Sequence, residues 1–142
     1  MLLRRVQNKV ELGSFRGRLI PLFEEYSKRV LDHEINPVEM FNNYYAHIIF
    51  PDCYLFTVSD DERIIGFIGC DLLRGPYYNI LYLIDVYYPN GGLDLAQMVE
   101  NIQNILGANE DWGEASEKVF RVYRRVLGKD KVKRSQFVRM KL

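Results

Sequence analysis

The sequence predicts one α/β domain of the α+β kind, a mixed and mostly antiparallel sheet with helices on both faces. Three observations predict it. The hydrophobic period is helical before Pro51, alternating from there to Pro89, and helical again afterwards. Three strand-like runs follow one another between those two prolines, joined by short polar turns. No repeat, low-complexity tract or Pro/Gly/Ser linker divides the chain, so residues 1–142 form a single domain.

Each element has its own signal. Leu2 to Gln7 alternates weakly and reads as an edge strand. Leu12, Phe15, Leu19, Leu22, Phe23, Tyr26 and Val30 recur at helical spacing, with Pro21 kinking or restarting that helix. A second helix begins at Pro37, whose fixed φ suits a first helical position, and carries Val38, Phe41, Tyr45 and Ile48 on one side. Cys53 to Val58, the turn Ser59-Asp60-Asp61-Glu62, Ile64 to Leu73, the turn at Gly75-Pro76 and Asn79 to Tyr88 make an antiparallel meander. Its middle run, Ile64-Ile65-Gly66-Phe67-Ile68-Gly69-Cys70, is what a central strand covered on both faces looks like, and its glycines invite close approach of another group. After Pro89, Leu95, Met98, Val99, Ile102, Ile105 and Leu106 share a helical stripe that Asp94 and Gln97 could cap. Residues 107–115 are poorly patterned, with a short strand expected near Gly113-Glu114-Ala115. Ser116 then opens an amphipathic helix ended by Gly128, and Gln136 to Leu142 closes as a strand. The order is β-α-α-β-β-β-α-(short β)-α-β.

Composition excludes several classes. Of the 142 residues, 48% are hydrophobic and 27% charged, with 19 bases balancing 19 acids, which is far from a disordered chain. No run is long and apolar enough for a membrane span, and Met-Leu-Leu-Arg-Arg is not a signal region, so a cytoplasmic location is expected. Cys53 and Cys70 read as ordinary buried thiols, and His33 and His47, one expected at the surface and one packed, stand at no ligand spacing, so no metal is expected. The neutral total hides segregation: residues 1–18 sum to +4, residues 19–115 to −12 and residues 116–142 to +8. If the fold joins the two ends, they make one positive surface.

The strand, acidic turn and Ile-Ile-Gly-Phe-Ile of residues 53–68, followed by Leu83-Ile84-Asp85-Val86-Tyr87-Tyr88-Pro89, look like the second to fourth strands of the Gcn5-related N-acetyltransferase (GNAT) family. Ser116, Tyr123 and Gln136-Phe137-Val138-Arg139-Met140 resemble its last helix and strand, so the resemblance covers nearly the whole chain. It implies the acyl-CoA N-acyltransferase-like fold and acetyl-CoA as cofactor, its pantetheine arm lying in a wedge where the parallel fourth and fifth strands splay apart. The strand at Val86 and Tyr88 would meet that arm, Asn90, Gly91, Gly92 and Leu93 would receive the pyrophosphate at a helix start, and Ser116 would stand in the position of a family Asn. The loop departs from the family's Arg/Gln-x-x-Gly-x-Gly/Ala: Pro89-Asn90-Gly91-Gly92-Leu93-Asp94 is shorter, lacks a base and ends in a carboxylate. Asn-Gly-Gly is also an ordinary turn sequence.

Acyl transfer needs a base for the amine and an acid for the departing thiolate. Asp85 is the candidate base; simple alternation puts it on the strand face of Leu81, Leu83 and Tyr87. Its plainer reading is a strand-end carboxylate bonded to backbone or Arg. Tyr123 is the candidate acid by its place in the resemblance, with a packing role on its helix as the alternative. A Cys-His nucleophilic pair has little support from two cysteines on strands. The basic C-terminal segment reads as a solvated face, as a holder of CoA phosphates or an acidic partner, or as a nucleic-acid surface, although few aromatics interleave there for base stacking. Two function classes therefore stand side by side. One is an N-acyltransferase acting on an amine. The other is a catalytically degenerate protein of the same fold that binds a partner through its basic ends, and the short loop and small size look like the acetyltransferase-like proteins encoded by bacteriophages, some of them virion components.

Overall fold

The computed structural model describes residues 1–31, 33–89 and 92–113, the side chains of Gly92 and Leu93 excepted, with a few isolated positions beyond. Nine elements are defined among them: β1 (Leu2–Arg5), α1 (Lys9–Ser14), α2 (Arg16–Arg29), α3 (Pro37–His47), β2 (Cys53–Asp60), β3 (Arg63–Arg74), β4 (Asn79–Tyr87), α4 (Gly92–Leu106) and β5 (Glu110–Gly113). The sheet order follows the chain, β1-β2-β3-β4-β5, with every pair antiparallel except β4–β5. Of the expected last helix, Arg121, Arg124 and Arg125 are described and helical, the position of Gly128 after them is described too, and the closing strand lies outside the described residues. Gly128 takes φ +96° and its N–H bonds to the Arg124 carbonyl at 3.0 Å, the geometry of a helix end.

The two halves of the core lie on opposite faces of the sheet. Leu12, Leu19, Phe23, Tyr26 and Phe41 from α1–α3 pack with Leu55, Phe67 and Tyr87. Met98 and Ile102 of α4 pack with Phe56, Val58, Ile68, Cys70 and Leu81. β3 carries fully buried residues on both faces, as its apolar run predicted.

Several local expectations shift, each for a physical reason. The first helix breaks at Phe15, between the weak helix formers Gly13-Ser14 and Gly17, while Pro21 sits inside α2. Asn8 caps α1 by accepting from the Glu11 N–H at 2.9 Å. Asn36 caps α3 through Val38 and Glu39, with Pro37 at the first helical position as expected. On α3 it is Tyr44, three residues after buried Phe41, that packs against the core, while Tyr45 is exposed. His47 is exposed, its Nδ1 2.6 Å from the Asn43 carbonyl and its ring against Phe50. Asp94 falls in the first turn of α4, which starts at Gly92, and Gln97 donates to Asn101 along the exposed side, so the two form no capping pair. Ile105 is exposed, off the buried stripe.

The short fifth strand starts earlier than predicted, at Glu110. α4 ends at Gly107, whose φ of +68° lets the Ala108 N–H reach back to the Gln103 carbonyl at 2.9 Å. Asn109 and Asn79 then hold each other, the Asn109 N–H on the Asn79 carbonyl at 2.8 Å and the Asn79 N–H on the Asn109 side chain at 2.7 Å. This clasp starts the parallel register at Ile80↔Glu110.

Candidate active site at the end of the parallel pair

The described β4–β5 pairing runs over four rungs, from Ile80↔Glu110 to Leu83↔Gly113, and β4 continues to Tyr87.

A bulge lies just beyond Leu83. On the β3 side Gly69 pairs with Asp85 but Cys70 pairs with Leu83, so Ile84 is an extra residue, and it is exposed. The bulge corrects the simple alternation. Leu81 and Leu83 point to the α4 side, while Asp85 and Tyr87 point to the α2–α3 side.

Rotated onto that face, Asp85 meets two phenols. The Tyr26 hydroxyl of α2 donates to its Oδ1 at 3.0 Å, and the Tyr44 hydroxyl of α3 donates to its Oδ2. Gly69, directly across on β3, makes room: a Cβ there would collide with the Tyr44 phenol. The close approach anticipated at this glycine is therefore real, and the approaching group is a side chain. Burial raises the Tyr44 pKa well above its ordinary value, and the charge and hydrogen bond of Asp85 raise it further, so Tyr44 remains the proton donor of the pair. Asp85 is thus bonded to tyrosines, in place of the backbone or Arg of its plainer sequence reading. Tyr26 and Tyr44 are the partners that the sequence did not flag, since at helical spacing they are indistinguishable from packing aromatics.

The other site candidates are distributed as follows. Val86 and Tyr88 turn their side chains towards the α4 core, and the Tyr88 hydroxyl lies 3.0 Å from the Met1 sulfur. Gly92 and Leu93 begin α4, with exposed Asp94 in its first turn. Asn90, Gly91, Ser116 and Tyr123 lie outside the described residues. The thiols do not suit nucleophilic work: burial pushes Cys70 up to about 12, and Cys53 is raised by burial and by Asp71. No group of three or more metal-ligating side chains occurs among the described residues, and no described helix is long and apolar enough to cross a membrane. All five bases of residues 1–18 engage their own chain. Arg4 pairs with Glu11 at 2.8 Å, and Arg5, Lys9, Arg16 and Arg18 lie over the rings of Tyr54, Tyr45, Phe41 and Phe15.

This architecture is that of solved acetyltransferases. A probable acetyltransferase superposes with a TM-score of 0.69 at 16% identity, over 100% of this chain and 97% of the other. An aminoglycoside acetyltransferase from an uncultured soil metagenomic sample, in complex with trehalose, gives 0.65 at 18% identity over 99% and 94%. An aminoglycoside N-acetyltransferase in complex with CoA gives 0.64 at 15% identity over 99% and 95%. Neither a protein-family model nor a protein of curated function matches the sequence. At such identities the likeness establishes the fold, the GNAT-type acetyltransferase fold that the sequence resemblance implied.

Proposed function

We propose that the chain transfers an acyl group from acyl-CoA to an amine. One observation carries this reading. The carboxylate of Asp85 stands on β4 two residues beyond Leu83, the last residue of the described parallel pairing with β5, and Tyr26 and Tyr44 each donate to one of its oxygens. The solved acetyltransferases of this fold, one holding CoA, support it.

An extended amide-bearing arm laid along β4 beyond Leu83 would pair with the backbone of Ile84 to Tyr87 around Val86. The start of α4 fits an anion less well. Its first N–H groups point outward as in any helix, but exposed Asp94 sits in the first turn and the Pro89–Leu93 loop contains no base. Bound acyl-CoA would supply the activated acyl group. Asp85 would accept the proton of the attacking amine, since the two phenols leave further lone pairs on its oxygens. Tyr123 remains the proposed acid for the thiolate, Tyr88 with Val86 a proposed neighbour of the arm, Asn90 to Leu93 the proposed neighbours of the donor's phosphates, and Ser116 a further donor contact.

Calorimetric titration with acetyl-CoA tests this reading. The expected result is micromolar binding that a Gly92→Asp variant abolishes by placing a second carboxylate at the α4 start. An absence of heat at millimolar acetyl-CoA would overturn it.

A further inference from the structure

We infer that Tyr26 and Tyr44 are positioning residues, a two-helix clamp that holds the Asp85 carboxylate in one orientation for proton transfer; this rests on the function proposed above. Three independent features of the chain converge on that carboxylate. The extra residue Ile84 turns Asp85 off the Leu81–Leu83 face. The missing side chain of Gly69, opposite it on β3, leaves the space the Tyr44 phenol occupies. Two phenols, 59 and 41 residues away in sequence and on different helices, each take one of its oxygens. A carboxylate that merely ended a strand would require none of the three.

The geometry says what the clamp does. A free carboxylate turns about its Cβ–Cγ bond, and each oxygen offers two lone pairs. With Tyr26 on Oδ1 and Tyr44 on Oδ2, that torsion is fixed and the remaining lone pairs keep one direction relative to the β4 backbone. Proton transfer is sensitive to such placement, and a misplacement of about 1 Å can cost roughly 100-fold in rate. The rings are held independently of their hydroxyls. Tyr44 packs on Phe23 with ring centroids 5.8 Å apart, and Tyr26 packs on Phe67 and Tyr87 at 5.4 and 5.9 Å. Phenylalanine at either position therefore keeps these ring contacts and removes the hydroxyl.

The test uses the full chain with acetyl-CoA as donor, and spermidine, lysine amide and water as acceptors, following thiol release. Tyr44→Phe and Tyr26→Phe are each expected to lower kcat by about tenfold or more while the Kd and KM for acetyl-CoA stay within about twofold. Asp85→Asn is expected to lower kcat by about 100-fold or more, and Tyr44→Phe added to it to cost little further, because residues that act as one unit are not additive. A kcat within about twofold of the parent in both phenylalanine variants overturns the clamp. Turnover by no acceptor while acetyl-CoA still binds overturns it too, leaving donor binding intact. Loss of acetyl-CoA binding by the parent chain instead overturns the function on which it rests.

Discussion

The sharpest structural perturbation is Gly69→Ala, one methyl placed in the middle of the sheet. Gly69 pairs with Asp85 on β4, and a Cβ at this position would collide with the hydroxyl, Cζ and Cε1 of Tyr44, the last two at 2.7 and 2.9 Å. Real Cβ atoms do not approach that closely, so the phenol must leave or the strand must bend. Overpacking of this kind costs about 1–3 kcal/mol. Displacing the phenol also removes its bond to the Asp85 carboxylate, and a hydrogen bond to a charged group contributes about 1.5–3 kcal/mol. The two costs overlap, since a bent strand would spare the bond, so the expected loss is about 2–4 kcal/mol, a large share of the 5–15 kcal/mol by which domains are stable. Urea unfolding followed by circular dichroism reads it as a lower midpoint at unchanged slope. Repeating the substitution in a Tyr44→Leu background, where no phenol stands over the glycine, should leave a cost below about 1 kcal/mol. The difference is the coupling energy of the pair. Equal costs in the two backgrounds, or a Gly69→Ala cost below about 0.5 kcal/mol, would refute the argument.

Alkaline titration tests the phenol directly. Burial and Asp85 raise Tyr44 in the folded state above its unfolded value near 10, so its contribution is complete below about pH 10 and is lost as pH rises towards the folded value, with a slope of at most about 1.4 kcal/mol per pH unit; Tyr44→Phe should flatten that loss, and an unchanged slope would contradict the assignment. Cys70 is buried and pushed up to about 12, so at pH 8 its reaction with a thiol reagent should be limited by global unfolding, whereas half-buried Cys53 should react faster; two thiols reacting at one rapid rate would show that β3 opens locally.

Much of the fold was legible because its signals are local. Pro37 behind Asn36 announces a helix start through an N-cap and a fixed φ. The apolar run 64–70 announces a covered strand because both faces of β3 are in fact buried. Gly69, a glycine inside an apolar strand, announces a close approach, and the Tyr44 phenol makes it. Other signals misled for reasons that are equally physical. Tyr44 and Tyr45 both fit a helical stripe within one residue, and only the docking of α3 on α2 and the sheet picks Tyr44. The fifth strand is expected to be nearly missing near Gly113–Ala115, because those residues are poor strand formers. It forms at Glu110–Gly113 because the Asn79–Asn109 clasp sets the register.

The candidate site divides along the same line. Asp85 could be singled out from the chain, as a carboxylate in an otherwise apolar strand. Its orientation could not, because a bulge is an extra residue only relative to a partner: Ile84 looks like any other apolar position until Gly69↔Asp85 and Cys70↔Leu83 are seen side by side. Its partners could not either, because hydrogen bonds spanning 59 and 41 residues depend on how helices dock and leave no periodic trace. The sequence by itself determined most of the elements and their order, which are properties of neighbouring residues and their period. The tertiary structure alone decided which way the carboxylate faces, what holds it and what fills the space over Gly69, because those depend on contacts between segments far apart along the chain.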